Sequence, residues 1–185
     1  MREIKALSEN TKQFFENYNQ ILDEMDTSVQ DVTPTENISE TYILQMLPHH
    51  EAGIKLSENI LSYTTNPEIE LLAKSIVSSN QNSLEDLLIP CENLTNTEKD
   101  NALYNRKFKL AFDSMLKKMQ NVEANNNLNK AYLSSILYHS EGGIAFAKNV
   151  ISFDICPELK EYVKKYITKT IIQTQAIKNL IRKQN

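Results

Sequence analysis

The sequence predicts an all-α protein, and three observations carry that reading. Glycine is scarce, three residues in 185 with only five prolines, so the tight turns that a sheet needs are missing. No run of period-two alternation bounded by Asn-Gly or Asp-Gly turns occurs. Three of the five prolines, Pro34, Pro67 and Pro157, sit where helices begin.

Six helices are expected, over about 3–28, 35–64, 67–89, 96–122, 127–152 and 157–183. Helix two opens at Thr33–Pro34–Thr35–Glu36, a capping box with proline in the first turn. Helix three starts at Asn66–Pro67–Glu68, a cap followed by proline. Thr95–Asn96–Thr97–Glu98 repeats the box ahead of helix four, and Cys156–Pro157–Glu158 repeats the proline start ahead of helix six. The chain reads as one helical domain over 1–185 that contains an internal duplication. A shift of 90 positions aligns Asp23 with Asp113, Met25 with Met115, Tyr42 with Tyr132, His49 with His139, Glu51 with Glu141, Gly53 with Gly143, Asn59 with Asn149 and Pro67 with Pro157, without a gap. The first repeat covers about 1–91 and the second about 92–185. Helices two and three form one hairpin and helices five and six its copy, which pack as a four-helix bundle. In this reading helix one covers the bundle and helix four connects the halves.

Composition excludes several function classes. With 41% apolar and 24% charged residues and a net charge of −4, the chain is expected to be a soluble globular protein. Its acidic balance offers no general attraction for nucleic acid or anionic membrane. No apolar run is long enough to span a bilayer and no signal core follows Met1, so a cytoplasmic location is expected. Cys91 and Cys156 stand far apart and in no metal-ligand spacing, and in a reducing compartment both are expected to be free thiols. No phosphate loop, dinucleotide fingerprint or nucleophile–base arrangement is present, and no enzymatic activity is expected. A homo-oligomer or a protein partner is compatible with the sequence, which specifies neither.

All three histidines (His49, His50, His139) and all three glycines (Gly53, Gly142, Gly143) fall in Met46–Leu47–Pro48–His49–His50–Glu51–Ala52–Gly53 and its copy Ile136–Leu137–Tyr138–His139–Ser140–Glu141–Gly142–Gly143. A helical wheel at about 100° per residue puts Ile38, Tyr42, Met46, His49, His50, Gly53, Ser57 and Ile60 on one face, with Glu40, Glu51, Lys55 and Glu58 opposite. The histidines therefore point inward, and Glu51 and Glu141 point outward. Gly53 and Gly143 on the inner face suit close approach of a partner helix. Pro48 removes one helical hydrogen bond and frees the Leu44 carbonyl near the histidine pair.

The segment Met46–Leu47–Pro48–His49–His50–Glu51–Ala52–Gly53, followed by Asn66–Pro67–Glu68–Ile69 and Leu72–Ala73, resembles the bacterial domain-of-unknown-function family 305, over about residues 36–185. The resemblance implies a ferritin-like four-helix bundle, and some relatives bind copper through His and Met. Where the family pattern has a second Met and His pair, this chain has Ile136, Tyr138, His139 and Ser140; on the helix after each motif it has Asn80 and Ser83, then Thr170 and Gln173. Two readings follow. In one, Met46, His49, His50 and His139 bind a transition metal, copper, with Met25 or Met115 as additional donors. In the other, the bundle has lost its metal and the histidines are buried neutral groups, bonded to groups such as the Leu44 carbonyl or the Ser140 hydroxyl.

Overall fold

The computed structural model describes residues 6–88, 91 and 94–184. Six helices make up the regular structure: α1 (Glu9–Gln30), α2 (Ile38–Leu61), α3 (Pro67–Asp86), α4 (Glu98–Gln120), α5 (Leu128–Val150) and α6 (Pro157–Lys183). Among the described residues there is no strand, and no helix is long and apolar enough to cross a membrane. The first residues of the expected helix one lie outside the described residues; within them α1 begins after Ser8, whose hydroxyl accepts the Thr11 amide as N-cap.

Local chemistry sets the other boundaries. Helix two starts three residues later than the Thr33–Glu36 box suggested. Asn37 accepts the amides of Ser39 and Glu40, while Thr35 is tied up by the Asn37 backbone, so the asparagine is the N-cap. Helix four likewise starts from Thr97, which accepts the Asp100 amide and donates to its carboxylate. Asn66 caps α3 with Pro67 in the first turn. Cys156 precedes Pro157 at the start of α6 but provides no side-chain cap.

The helix bounds recur at the 90-residue spacing, Gln30 against Gln120, Ile38 against Leu128, Pro67 against Pro157. So do individual contacts. Asn59 donates to the Phe14 carbonyl at 3.0 Å, and Asn149 donates to the Tyr104 carbonyl at 3.1 Å. Helix four is thus more than a connection: it lies on α5 as α1 lies on α2. The centre of the molecule is the α2–α5 pair, flanked by α1 and α4 on one side and by α3 and α6 on the other. The α1–α4 and α3–α6 seams are narrower than the packing of each outer helix on its own central helix. Tyr42, Met46, Ile60, Tyr132, Ile136 and Phe146 fill the middle of the core, and truncation of a buried aromatic such as Phe146 to Ala costs about 3–5 kcal/mol.

The cysteines correct the expectation of free thiols. Cys91, in the loop after α3, is bonded to Cys156 at the start of α6, with their Cα atoms 5.7 Å apart. Sequence separation concealed the pairing, because the two cysteines stand 65 positions apart and the chain between them returns to the same end of the bundle. Unreduced protein is therefore expected to be lighter than reduced protein by the two thiol hydrogens. Closing a loop of this length stabilises the fold by up to about 4 kcal/mol on chain-entropy grounds, so the urea midpoint should fall on reduction. Two thiols titrating in unreduced, denatured protein would disprove the bond.

The buried histidine centre

The candidate site is built where α2 crosses α5. His49, His50 and His139 are 1%, 0% and 3% exposed, and Met46 is fully buried. The His49 and His139 rings, one from each copy of the motif, stack face to face with centroids 3.9 Å apart and planes 2° from parallel. The Phe146 ring meets His49 edge-on at 5.4 Å, backed by Phe108 and Phe112 of α4.

The approach depends on two glycines placed reciprocally. A Cβ on Gly53 would come within 2.9 Å of His139 Cε1, and one on Gly143 within 2.8 Å of His49 Nε2 and 2.1 Å of the Tyr166 hydroxyl. Each copy's glycine makes room for the other copy's histidine. Gly142 serves a different neighbour, the Met115 side chain of α4. Replacing Gly143 by Ala gains about 1 kcal/mol of helix propensity. Overpacking against a ring fixed in a stack costs about 1–3 kcal/mol. The expected result is a net loss of stability in urea unfolding, and a variant more stable than wild type would refute the packing role.

Hydrogen bonds fix two of the three ring tautomers. His50 Nδ1 lies 2.7 Å from Asn80 Oδ1, and Asn80 Nδ2 donates to the Ile76 carbonyl, which leaves the amide oxygen as the acceptor. His50 Nδ1 therefore carries the proton, and its Nε2 accepts from the Tyr162 hydroxyl at 3.2 Å. His139 Nε2 donates to the His49 carbonyl at 2.9 Å. Both ring nitrogens of His49 are buried with no hydrogen-bond partner, and so is the Tyr42 hydroxyl. Partners for the histidines are thus not the Leu44 carbonyl or Ser140: Ser140 donates to Ile136, and Pro48 faces a small cavity toward α1 with Ile21 and Met25. Met25 and Met115 pack between α1 and α2 and between α4 and α5 respectively. Glu51 is exposed, and Glu141 pairs with Lys178 on the surface.

Tyr162 and Tyr166 complete the centre, and sequence reasoning passed over them. The signal was present: they stand where the first copy has Leu72 and Ile76, a polar change on the inner face of a helix.

Burial keeps all three histidines neutral. Desolvation lowers His50 and His139 to about 4, and His49 falls well below its ordinary value through burial and the neighbouring imidazoles. Since the unfolded chain takes up these protons near pH 6.5, stability is complete above that pH and is lost as pH falls toward the folded values. Each histidine contributes a slope of up to about 1.4 kcal/mol per pH unit in that window. Urea midpoints should therefore drop from pH 7 to pH 5, and a flat profile would contradict the neutral buried rings.

Chemically, the centre offers neutral imidazole and thioether donors and no charged ones. Among the described residues no three His, Cys, Asp or Glu side chains converge as metal ligands. Parallel stacked rings direct their lone pairs side by side, and His50 has both nitrogens occupied. The donor types nonetheless fit a soft monovalent ion that accepts two or three neutral ligands, with His49 as the open nitrogen. They do not fit zinc or a di-iron pair.

An all-helical chain with a buried histidine centre between two crossing helices is the class that the structure defines. Residues 8–89, which span α1 to α3, match the family described as Domain of unknown function (DUF305). The match takes in α1, which lies ahead of the residues on which the resemblance rested. No curated protein and no solved structure matches the chain.

Proposed function

We propose that the protein is a non-catalytic helical bundle that takes up one soft metal ion, monovalent copper, in its histidine centre. One observation carries this reading: His49 is buried with both ring nitrogens unpartnered, a state that leaves about 1–3 kcal/mol of desolvation uncompensated until a ligand is bound. His49 would hold the ion, with Met46 one turn earlier on the same face and His139 after a small turn out of the stack. His50 would stay in its hydrogen bonds and orient α3 and α6 around the site. All these groups are unprotonated at neutral pH, as ligands must be. We read α2, α3, α5 and α6 as the ferritin-like bundle of this family, α1 and α4 being its outer pair. The Cys91–Cys156 bond favours an oxidising compartment over the cytoplasm.

A second reading has its own support. The parallel stack and the absence of a buried counter-charge suit a bundle that has lost its metal and acts through its surface. Competition for copper against a chromogenic chelator, with ascorbate to hold the ion monovalent, separates the two. Wild type should retain about one equivalent, and His49→Ala with His139→Ala should weaken retention by about a hundredfold or more with helicity intact. If wild type retains copper no better than this variant, the metal-free reading stands.

A further inference from the structure

The histidine centre has a closed side and a side nearer solvent. Phe108, Phe112 and Phe146 wall it toward α4 and are 0–3% exposed. On the opposite side it is lined by Asn80 of α3 and by Tyr162 and Tyr166 of α6, all of which are partly exposed. Access to the rings therefore runs through the α3–α6 seam.

That seam is held at three points. The two helices run antiparallel. At one end Lys183 of α6 pairs with Glu68 of α3, both more than half exposed, a contact worth little in water. In the middle His50 bridges Asn80 and Tyr162. At the other end the chain after α3 is joined to the start of α6 by Cys91–Cys156. Direct packing between the helices is sparse by comparison with their packing on α2 and α5. The covalent bond is the one strong tie.

We propose that Cys91–Cys156 is a redox latch on this seam, governing entry to the histidine centre; the inference rests on the proposed function only for what enters. Cys91 is partly exposed and Cys156 is 7% exposed. A dithiol reductant attacks Cys91 Sγ as its thiolate, forming a mixed disulfide and expelling Cys156 as thiolate. The reductant's second thiol then displaces Cys91, so the reductant leaves as a disulfide and the protein gains two electrons and two protons as two cysteine thiols. Expulsion from Cys156 is favoured by its position. It precedes the first turn of a 27-residue helix whose opening amides have no side-chain acceptor, and a thiolate there is stabilised by those amides and by the helix dipole. The first copy has Asn66 at the same place, accepting the amides of Glu68 and Ile69, so reduction gives α6 an acceptor at the position where α3 has one while removing its tether to α3. The segment set free carries Tyr162 and Tyr166.

Amide hydrogen exchange of the whole protein, with and without a dithiol, tests the latch. Reduction should raise exchange by about tenfold or more in residues 160–166, beyond any rise in α2 and α5. Modification of His49 and His50 by diethyl pyrocarbonate should accelerate similarly in the Cys91→Ser/Cys156→Ser variant. Unchanged exchange on reduction overturns the proposal. A rise in exchange no larger in the start of α6 than in α2 and α5 also overturns it, since the bond would then act only on the stability of the whole fold. If the serine variant fails to fold, exchange in the reduced wild type decides. Neither readout involves copper, so the latch and the metal reading stand or fall separately.

Discussion

Everything at the centre of this molecule depends on the contact distance between two imidazole rings. A stack at 3.9 Å leaves no room for a Cβ on the backbone facing either ring. Gly53 and Gly143 are the local answer, each leaving the volume that the opposite ring occupies. The stack also sets the electrostatics. Burial in a dry interior disfavours charge on either ring, and His49 is further held neutral by the imidazoles beside it, so the core tolerates both only above the pH at which free histidine takes up its proton. Packing, protonation and the choice of glycine are one constraint seen three ways.

His50 does separate work. Its ring meets His49 edge-on, but its two nitrogens bond no histidine and reach outward to α3 and α6, fixing where these helices lie on the central pair. Because Asn80 is itself held by the Ile76 carbonyl, the tautomer of His50 is settled by the backbone of a neighbouring helix. A histidine pair adjacent in sequence is thereby divided between two tasks, one facing the crossing and the other facing the flanking seam.

The helical character, the approximate helix spans and the inward histidine face were legible in the sequence because they follow from periodicity, which is local. Asn37 displaced the Thr33–Glu36 box because two N-terminus signals stood four residues apart and only hydrogen-bond geometry ranks them. The role of α4 was half legible: the shift that aligns Asp23 with Asp113 and Met25 with Met115 makes it the counterpart of α1, but only contacts such as Asn149 with Tyr104, which no wheel displays, show that it packs on α5. The cysteine pairing was invisible for the reason that makes it effective: it joins points far apart in the chain. The ring stack was equally hidden, since a wheel states which face a side chain occupies and says nothing of what it meets across the interface.

The reciprocal fit of glycine and histidine has a consequence for the unit itself. Neither copy of the motif contains a finished core. The first brings a histidine that fits the second's glycine and a glycine that fits the second's histidine, so one copy alone presents a ring without a socket and a socket without a ring. A polypeptide carrying a single such unit would have to find both complements in another molecule, and the symmetric way to do so is with its twin. In this chain the twin is tethered. Joining the halves in one polypeptide turns an encounter that would depend on concentration into one that happens within a single fold, and it frees the halves to diverge, as His50 and Ser140, or Asn66 and Cys156, have done.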